Sequence, residues 1–287
     1  MPQARLHHVQ CLSAAGLHRM AYWEWGERSN PRVLVCVHGL SRQGRDFDAL
    51  ACALTDRYRV ICPDVMGRGE SDWRPDPALY QIPVYVADMV ALLARLDVER
   101  VDWLGTSMGG LIGLGLAALP GSPIDRLVLN DVGPSLEYAA LQRIGSYLGQ
   151  HMCFADVGEG AAHLRAISAG FGPHSDSEWL ALSRPMFRAR PEGGVRLHYD
   201  PSIAAPFAAL TPELAAAAER ALWQAYEALS CPTLLLRGAE SDLLTRATAE
   251  AMTQRGPRAL LHEFAGVGHA PTLIRPEQIA VVRQFLK

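Results

Sequence analysis

Short apolar runs alternate with longer helix-like segments along the chain. Six of the runs are almost continuously apolar, a pattern typical of strands buried on both faces of a parallel sheet. They span residues 32–37, 59–62, 101–104, 125–130, 232–237 and 259–264. Residues 84–96 and 108–119 lie between these runs and have the pattern of helices. The alternation predicts an α/β doubly wound fold, with a mostly parallel central sheet flanked by helices.

Two regions depart from this pattern. Polar and apolar residues alternate in "LHHVQCLSAAGLHRMAYWEWG" on either side of Ala15-Gly16, which predicts an antiparallel hairpin at the edge of the sheet. Residues 134–211 have no strand-like run of similar strength, and their helical pieces are separated by Gly and Pro. We therefore predict a mainly helical insertion there, within a core formed by residues 1–133 and 212–287.

Composition adds few constraints. The chain has 287 residues, of which 49% are apolar and 20% are charged, as in an ordinary soluble globular protein. The net charge is −3 and no long basic run occurs, which argues against nucleic acid as a partner.

The sequence shows no pattern typical of a secretory signal peptide or of a membrane-spanning helix. The N-terminal "MPQARLHHVQ" has no apolar signal-peptide core, and the longest apolar stretch, "LIGLGLAALP", is too short to cross a bilayer. Six cysteines form no CxxC pair, so we expect them to be reduced and structural. We expect a cytoplasmic protein without membrane contact. The cysteines are Cys11, Cys36, Cys52, Cys62, Cys153 and Cys231.

The first candidate for chemistry is Ser107, in a Gly-x-Ser-x-Gly pattern between a predicted strand and a predicted helix. A sharp turn would hold its hydroxyl clear of the sheet in a strained backbone conformation, which requires small residues two positions before and after it. Gly105 and Gly109 meet that requirement. A serine hydroxyl is a weak nucleophile at neutral pH and needs a base, so the pattern alone equally fits a glycine turn without chemistry.

The predicted base is His269, in "FAGVGHAPTL". Of the ten histidines, only His38 and His269 lie just past the ends of predicted core strands. The crevice outside those carboxyl ends is the usual ligand site of an open α/β sheet. We interpret His38, in "VHGL", as a structural residue that shapes its own loop.

The predicted acid is Asp242, in "LLLRGAESDLLT", which comes just after a buried strand and so reaches the same edge. It would hold the imidazole tautomer and stabilise the imidazolium. Two rivals remain: Glu240, two residues earlier, and Asp131, which ends the preceding strand in "LNDVGP". The chain order Ser107, Asp242, His269 is that of one fold among the known triads.

Two backbone amides are candidates for an oxyanion hole. The N–H of Met108 lies at the predicted helix start, and the N–H of Leu40 follows His38-Gly39 after a central strand. Each such donor contributes on the order of 10²–10³ in rate.

Together these segments resemble the α/β-hydrolase family, in the subgroup with a helical cap inserted after the sixth strand. The matching pieces are "VHGL", "PDVMGRGESD", "GTSMGG", "RGAESDLL" and "GVGHAP". They follow the family's order over nearly all of residues 32–271, and they are specific only jointly. The resemblance implies an α/β-hydrolase fold, a cap (lid) at about 134–211 seated over the catalytic triad, and a substrate pocket between cap and core.

Ser107 separates this chain from the family branches that use Asp as the nucleophile, the haloalkane dehalogenases and epoxide hydrolases. The resemblance therefore implies a serine hydrolase of a small carboxylic ester, a lactone or a short hydroxyalkanoate oligomer, acting through an acyl-enzyme without a cofactor. A carbon–carbon bond hydrolase of dienoate ring-cleavage products, a cofactor-free perhydrolase and a non-catalytic ligand receptor remain as alternatives. No pair of His or Cys residues has metal-site spacing, so no metal is expected.

Residues that contact the substrate are the least determined. Arg42, beside the oxyanion loop, and Phe187, in the insertion, are the candidates. Arg188 and Arg190 are further cations for a dienoate carboxylate, and Trp179, Met186 and Phe207 are further apolar residues of the cap. The expected partner is a small-molecule acyl substrate, and the chain is expected to be a monomer or homodimer.

Overall fold

An eight-stranded sheet lies at the centre of the computed structural model, which describes residues 3–287; Met1 and Pro2, the start of the N-terminal stretch, lie outside the described residues. The described residues form eleven strands, eight in this sheet and three in a smaller one. They are β1 (Arg5–Ser13), β2 (Gly16–Trp25), β3 (Val33–Val37), β4 (Arg59–Pro63), β5 (Val101–Thr106), β6 (Ile124–Asn130), β7 (Cys153–Phe154), β8 (Phe187–Ala189), β9 (Val195–Leu197), β10 (Thr233–Gly238) and β11 (Leu260–Phe264). The order in the large sheet is β1-β2-β4-β3-β5-β6-β10-β11.

Each of the six apolar runs forms a strand of this sheet. From β4 to β11 across the sheet all neighbours pair in parallel, which explains why β3 and β4 are buried at every position. The N-terminal hairpin of β1 and β2 is antiparallel and joins the edge through β4, where Tyr22 pairs with Pro63. The prediction of a mostly parallel sheet with an edge hairpin is confirmed.

Helices cover both faces of the sheet. They are α1 (Asp48–Leu54), α2 (Ile82–Leu96), α3 (Met108–Ala117), α4 (Tyr138–Tyr147), α5 (Val157–Ile167), α6 (Asp176–Ser183), α7 (Ala205–Ala208), α8 (Pro212–Glu227), α9 (Arg246–Gln254) and α10 (Pro276–Phe285). Leu92 and Ile112 of α2 and α3 belong to the apolar core on one face, and Leu50 and Val282 of α1 and α10 to the core on the other. This burial on two faces is the doubly wound arrangement. In residues 3–287 no helix combines the length and the apolar character needed to span a bilayer.

The segment between β6 and β10 contains α4 to α8 and a separate three-stranded antiparallel sheet in the order β7-β9-β8. The sequence predicted the helices but not this sheet. Strands of two or three residues are too short to show an alternating pattern, so the chain gave no signal for them.

The stretch of this segment that follows β9 is attached to the loop that follows β4. The N–H of Gly69 donates to the carbonyl of His198 over 3.0 Å, and the N–H of Asp200 donates to the carbonyl of Gly67 over 2.8 Å. Arg68 and Tyr199 form an isolated antiparallel bridge between these two bonds. The attachment holds the segment across the edge where the parallel strands end.

Helix α3 approaches the sheet through its glycines. A Cβ on Gly109 would lie 2.0 Å from the carbonyl oxygen of Val37, and a Cβ on Gly105 would lie 2.2 Å from the backbone of Gly109. Backbone atoms cannot yield to such overlap as a flexible side chain can. The two glycines therefore fix how closely β3, β5 and α3 meet.

We predict that Gly109→Ala lowers the free energy of unfolding by about 3 kcal/mol, because the added methyl group forces β3 and α3 apart. Urea denaturation measures this change. Gly115→Ala is the matched control on the same helix, since its Cβ would meet only side-chain methyl groups, of Val86 at 3.3 Å and of Ile82 at 3.9 Å. That variant should stay within about 1 kcal/mol of the parent, and equal losses in both variants would contradict the close-approach argument.

Candidate active site

Ser107 lies on the turn between β5 and α3 with φ 52° and ψ −117°. A non-glycine residue in such a sparsely populated conformation costs about 1–3 kcal/mol, so the surroundings must hold it there. The N–H of Ser107 donates to the carbonyl of Asn130 over 3.0 Å, which ties the turn to the end of β6. The strained turn expected from the Gly-x-Ser-x-Gly pattern is present, with its hydroxyl at the carboxyl edge of the sheet.

His269 lies beside this hydroxyl. Its Nε2 is 3.0 Å from the Ser107 Oγ, and its Nδ1 is 2.7 Å from Oδ2 of Asp131. A carboxylate can only accept, so Nδ1 carries the proton of the neutral imidazole and Nε2 is free to accept the hydroxyl proton. This is the tautomer that a general base for Ser107 requires.

Asp131 is completely buried and is surrounded by donors. Its Oδ1 accepts from the N–H of Gly238 over 2.9 Å, and its Oδ2 accepts from the Ser241 hydroxyl over 2.6 Å as well as from His269. These bonds replace the water that a buried carboxylate loses. They also aim Oδ2 at the imidazole.

The sequence-based choice of Asp242 as the acid is corrected by this arrangement. Asp242 is half exposed and forms an ion pair with Arg143 of α4, with 2.7 Å between Nη2 and Oδ2. The turn after β10 brings Ser241, not Asp242, inward against Asp131. The rival Glu240 is also exposed, and its N–H donates to the carbonyl of Val267. Asp131, which follows β6 directly as Ser107 follows the adjacent β5, is the carboxylate that contacts His269.

The loop after β11 reaches Asp131 by passing very close to the end of β10. A Cβ on Gly238 would lie 2.1 Å from the carbonyl oxygen of Gly268. The Asn130 side-chain amide donates to the carbonyl of Pro271 over 2.8 Å and fastens the far side of the loop. His269 is thus held from both sides of its loop.

The loop after β3 lies against the same turn. A Cβ on Gly39 would be 3.7 Å from the Cβ of Ser107, and Leu40 lines the cavity above it. His38 shapes this loop, as interpreted: its Nε2 accepts from the N–H of Val65 over 2.9 Å, and its Nδ1 donates to the carbonyl of Gly39 over 2.7 Å. Burial lowers the pKa of His38 to about 3, so the ring stays neutral in this structural role.

Arg68, in the loop after β4, is a further residue of this region. Its guanidinium is fully buried, donates from Nε to the carbonyl of Leu40 over 2.8 Å, and places Nη2 3.6 Å from the Met108 Sδ. In residues 3–287 it has no carboxylate partner within ion-pair distance. One cation thus contacts both residues predicted to form the oxyanion hole. The signal was the Gly-Arg-Gly sequence of the loop: both glycines have positive φ, and a Cβ on either would overlap Tyr80 or Asp64, so the loop is tightly packed around Arg68.

A cavity of about 600 Å³ opens above Ser107 and His269. Its walls come from the core and from the segment between β6 and β10. The lining from that segment includes Arg143, Tyr147, Leu164, Phe171, Met186 and Tyr199. Sequence reasoning nominated only Met186 of these, because helical spacing does not reveal which face of a cap helix meets the core.

The two predicted substrate contacts have different surroundings. Arg42 lines the cavity, but its guanidinium donates twice to Asp46, over 2.6 and 2.7 Å. Phe187 is not among the described residues that line the cavity; its ring packs on Phe154, with 5.7 Å between centroids. A Cβ on Gly160 of α5 would overlap the same ring. The absence of a side chain at Gly160 therefore leaves the space that the Phe187 ring occupies.

The remaining cap candidates also lie elsewhere. Arg188 and Arg190 border a different cleft, beside the small sheet. Trp179 stacks on Phe171, and Phe207 packs near Gly145 of α4. These candidates pack within the segment between β6 and β10 or lie on its surface, and they do not line the cavity.

One buried cluster away from the cavity has metal-ligating side chains. Cys11, His18 and Asp88 offer atoms within 4.8 Å of one another, and the His18 Nε2 is 3.1 Å from Asp88 Oδ2. Burial, reinforced by the Asp88 carboxylate, raises the pKa of Cys11 to about 12. The thiol therefore stays protonated, and the cluster is accounted for as a polar contact between the hairpin and α2.

Comparisons with known proteins agree with this geometry. A family model described as the alpha/beta hydrolase family matches residues 34–282. A 3-hydroxybutyrate-oligomer hydrolase from Cupriavidus necator is 55% identical over 284 residues, which cover 98% of this chain and 97% of that protein. A 2-hydroxymuconate semialdehyde hydrolase from a Pseudomonas species is 30% identical over 75% of this chain and 71% of its own length.

A solved structure extends the likeness to the whole chain. An alpha/beta hydrolase from Novosphingobium aromaticivorans superposes with a TM-score of 0.87 and is 36% identical, covering 100% of this chain and 99% of its own. The likeness therefore includes the segment between β6 and β10 as well as the sheet.

We predict that Asp131→Asn lowers kcat for ester hydrolysis by about 10⁴, because an amide at this position favours the wrong imidazole tautomer. Steady-state kinetics on a p-nitrophenyl ester measure the loss. Asp242→Asn is the matched control and should retain most of kcat on this neutral substrate. A larger loss in Asp242→Asn than in Asp131→Asn would return the acid role to Asp242.

We predict that Arg68→Lys lowers kcat by about 10- to 100-fold with little change in KM, because an ammonium group cannot reach Leu40 and Met108 together. Kinetics on the same ester separate the two constants. Arg59→Lys is the control: Arg59 is another buried arginine, bonded to Glu24 and remote from the cavity. Equal kinetic losses in both variants would mean that Arg68 acts only through stability.

Proposed function

The chain belongs to the alpha/beta hydrolase family, as its motifs predicted, and we propose that it hydrolyses the ester bonds of short 3-hydroxybutyrate oligomers. The observation that carries the chemistry is the chain of hydrogen bonds from Asp131 through His269 to Ser107, which ends in an open cavity. The substrate class is supported by the 55% identity with a hydrolase of that name over nearly the full length of both chains.

Acylation begins when His269 Nε2 takes the proton of the Ser107 hydroxyl. The Oγ attacks the carbonyl carbon of the scissile ester, and the carbonyl oxygen becomes an oxyanion. The amides of Met108 and Leu40 donate to it; that of Met108 is among the first amides of α3, which have no acceptor within the helix. Asp131 stabilises the imidazolium. As the ester C–O bond breaks, His269 protonates the leaving oxygen, which departs as the hydroxyl group of the neighbouring hydroxybutyrate unit.

Deacylation repeats the sequence with water. His269 accepts a proton from the water molecule, whose oxygen attacks the acyl carbon of the Ser107 ester. Collapse of the second tetrahedral intermediate returns the proton to Ser107 Oγ and releases a carboxylic acid. No group beyond the side chains and amides named here takes part.

The cavity suits such a substrate. Its volume of about 600 Å³ lies in the range of pockets that enclose small organic molecules. Leu164, Phe171 and Met186 present an apolar wall to the methyl groups along a hydroxybutyrate chain. Ser107 and His269 line the same cavity.

The carbon–carbon hydrolase alternative is not served by the arginines nominated from the sequence, and Arg143 is the arginine left for it in the cavity. It would need a cation for the dienoate carboxylate, and Arg188 and Arg190 border another cleft. Arg42 reaches the cavity but is already paired with Asp46. A non-catalytic ligand receptor of the same fold differs from the proposed hydrolase in having no turnover, so a measurement of turnover separates the two.

Three further features belong to the proposal. A cytoplasmic location is supported by five cysteines that form no disulfide among the described residues and so suit a reducing compartment: Cys11, Cys36, Cys62, Cys153 and Cys231. The monomeric or homodimeric state stays a prediction. So does the extent of the cap, residues 134–211.

We predict that the wild-type protein hydrolyses the dimer and trimer of 3-hydroxybutyrate and that Ser107→Ala lowers the rate by at least 10³. At neutral pH each cleavage releases one acid, so titration with base at constant pH counts the bonds broken. Ser177→Ala, at an exposed serine of α6, is the control and should keep the wild-type rate. Equal rates for wild type and Ser107→Ala would remove Ser107 as the nucleophile, and turnover of a dienoate without any oligomer would replace the proposed substrate.

A further inference from the structure

Two arginines line the catalytic cavity among the described residues, and they differ in how their charge is used. Arg42 donates from Nε and Nη2 to the two oxygens of Asp46, and from Nη2 to the carbonyl of Leu182 over 3.0 Å. Its side chain is only 11% exposed. Such a buried, bidentate pair is costly to break, so Arg42 is fully committed to its partners.

Arg143 of α4 is the available cation. Its Nε and Nη2 both approach one oxygen of Asp242, at 3.0 and 2.7 Å, and the two side chains are 46% and 51% exposed. Half-exposed pairs of this kind contribute little, because water solvates each partner when they separate. In residues 3–287 no second carboxylate lies within ion-pair distance of Arg143. Another anion can therefore take the place of Asp242.

A 3-hydroxybutyrate oligomer brings such an anion into the cavity. One of its ends is a hydroxyl group and the other is a carboxylate, whereas the bonds between are neutral esters. A guanidinium presents parallel N–H groups that match the two oxygens of a carboxylate. Arg143 and Ser107 lie in the walls of the same cavity, so one chain can reach both.

We propose that Arg143 binds the terminal carboxylate of the oligomer and that Asp242 is the ion that this carboxylate displaces. The assignment rests on the proposed function for the identity of the substrate. It makes Arg143 a specificity residue, which sets the ester bond that reaches Ser107 by holding the end of the chain. It also gives Asp242 a role. Its negative charge, with that of the nearby Glu240, repels any anion that cannot replace Asp242 as the partner of Arg143.

The test measures binding rather than turnover. In a Ser107→Ala background, titration calorimetry gives Kd for the 3-hydroxybutyrate dimer and for its methyl ester, which has the same internal ester bond without the charge. Arg143→Gln should raise the Kd of the free acid about 10- to 100-fold, the range of a charge-assisted hydrogen bond. The Kd of the methyl ester should change much less, so the ratio of the two constants falls. Parallel changes for both compounds, or no change for the acid, would overturn the assignment.

Two further variants sharpen the comparison. Asp242→Asn removes the competing anion and should lower the Kd of the free acid several-fold; a higher Kd would contradict the displacement. Arg165→Gln is the matched control, since Arg165 is a half-exposed arginine of the same segment that pairs with Asp176 and does not line the cavity. It should leave the ratio of acid to ester binding at the parent value.

This inference and the proposed function fail in different ways. A dimer that binds with Arg143 dependence but is not cleaved by the wild-type protein refutes the oligomer hydrolase and leaves Arg143 as a carboxylate site. Cleavage of the dimer with no dependence on Arg143 supports the hydrolase and refutes the site.

Discussion

The buried carboxylate of Asp131 is the group on which the arrangement of this site depends. A carboxylate without solvent must be surrounded by donors, and here the donors come from the last residue of β10, from Ser241 in the turn after it and from His269 after β11. Those segments are more than a hundred residues away from Asp131 along the chain. Satisfying one charge therefore brings the ends of β6, β10 and β11 into a single geometry, with the imidazole in the tautomer that faces Ser107.

The parallel sheet makes this convergence possible, and glycine makes it close. Parallel neighbours end at the same edge, so Ser107 and Asp131 follow adjacent strands at matching positions. Gly109 and Gly238 have no side chain, and a Cβ at either position would force α3 or the His269 loop away from the sheet. Because the contacts they permit are between backbones, the active site is built on atoms that have little freedom to shift.

What the sequence could reveal depends on how local each signal is. The six apolar runs, the Ser107 turn and His269 are each visible within about ten residues, and the structure has all of them where they were predicted. Asp131 and Asp242 both follow buried strands, and the sequence does not say whether the His269 loop stops at the end of β10 or passes over it to the end of β6. The choice was therefore decided by a tertiary contact, the passage of Gly268 over Gly238. The packing of Phe187 against Gly160 was hidden for the same reason, whereas the two- and three-residue strands of the small sheet were too short to show a pattern.

Arg42 and Arg143 are the same residue type, but the difference in their burial gives them different roles in the cavity. Both are cationic, both line it and both face a carboxylate, yet Asp46 and Arg42 are largely shielded from water, whereas Asp242 is half exposed. The first pair acts as a fixed part of the wall, since separating it would strand two charges in an apolar setting. The second can exchange its partner at small cost. Catalytic geometry is thus held by the rigid edge of the sheet, and recognition of charge is left to the exposed ion pair between the cap and the core.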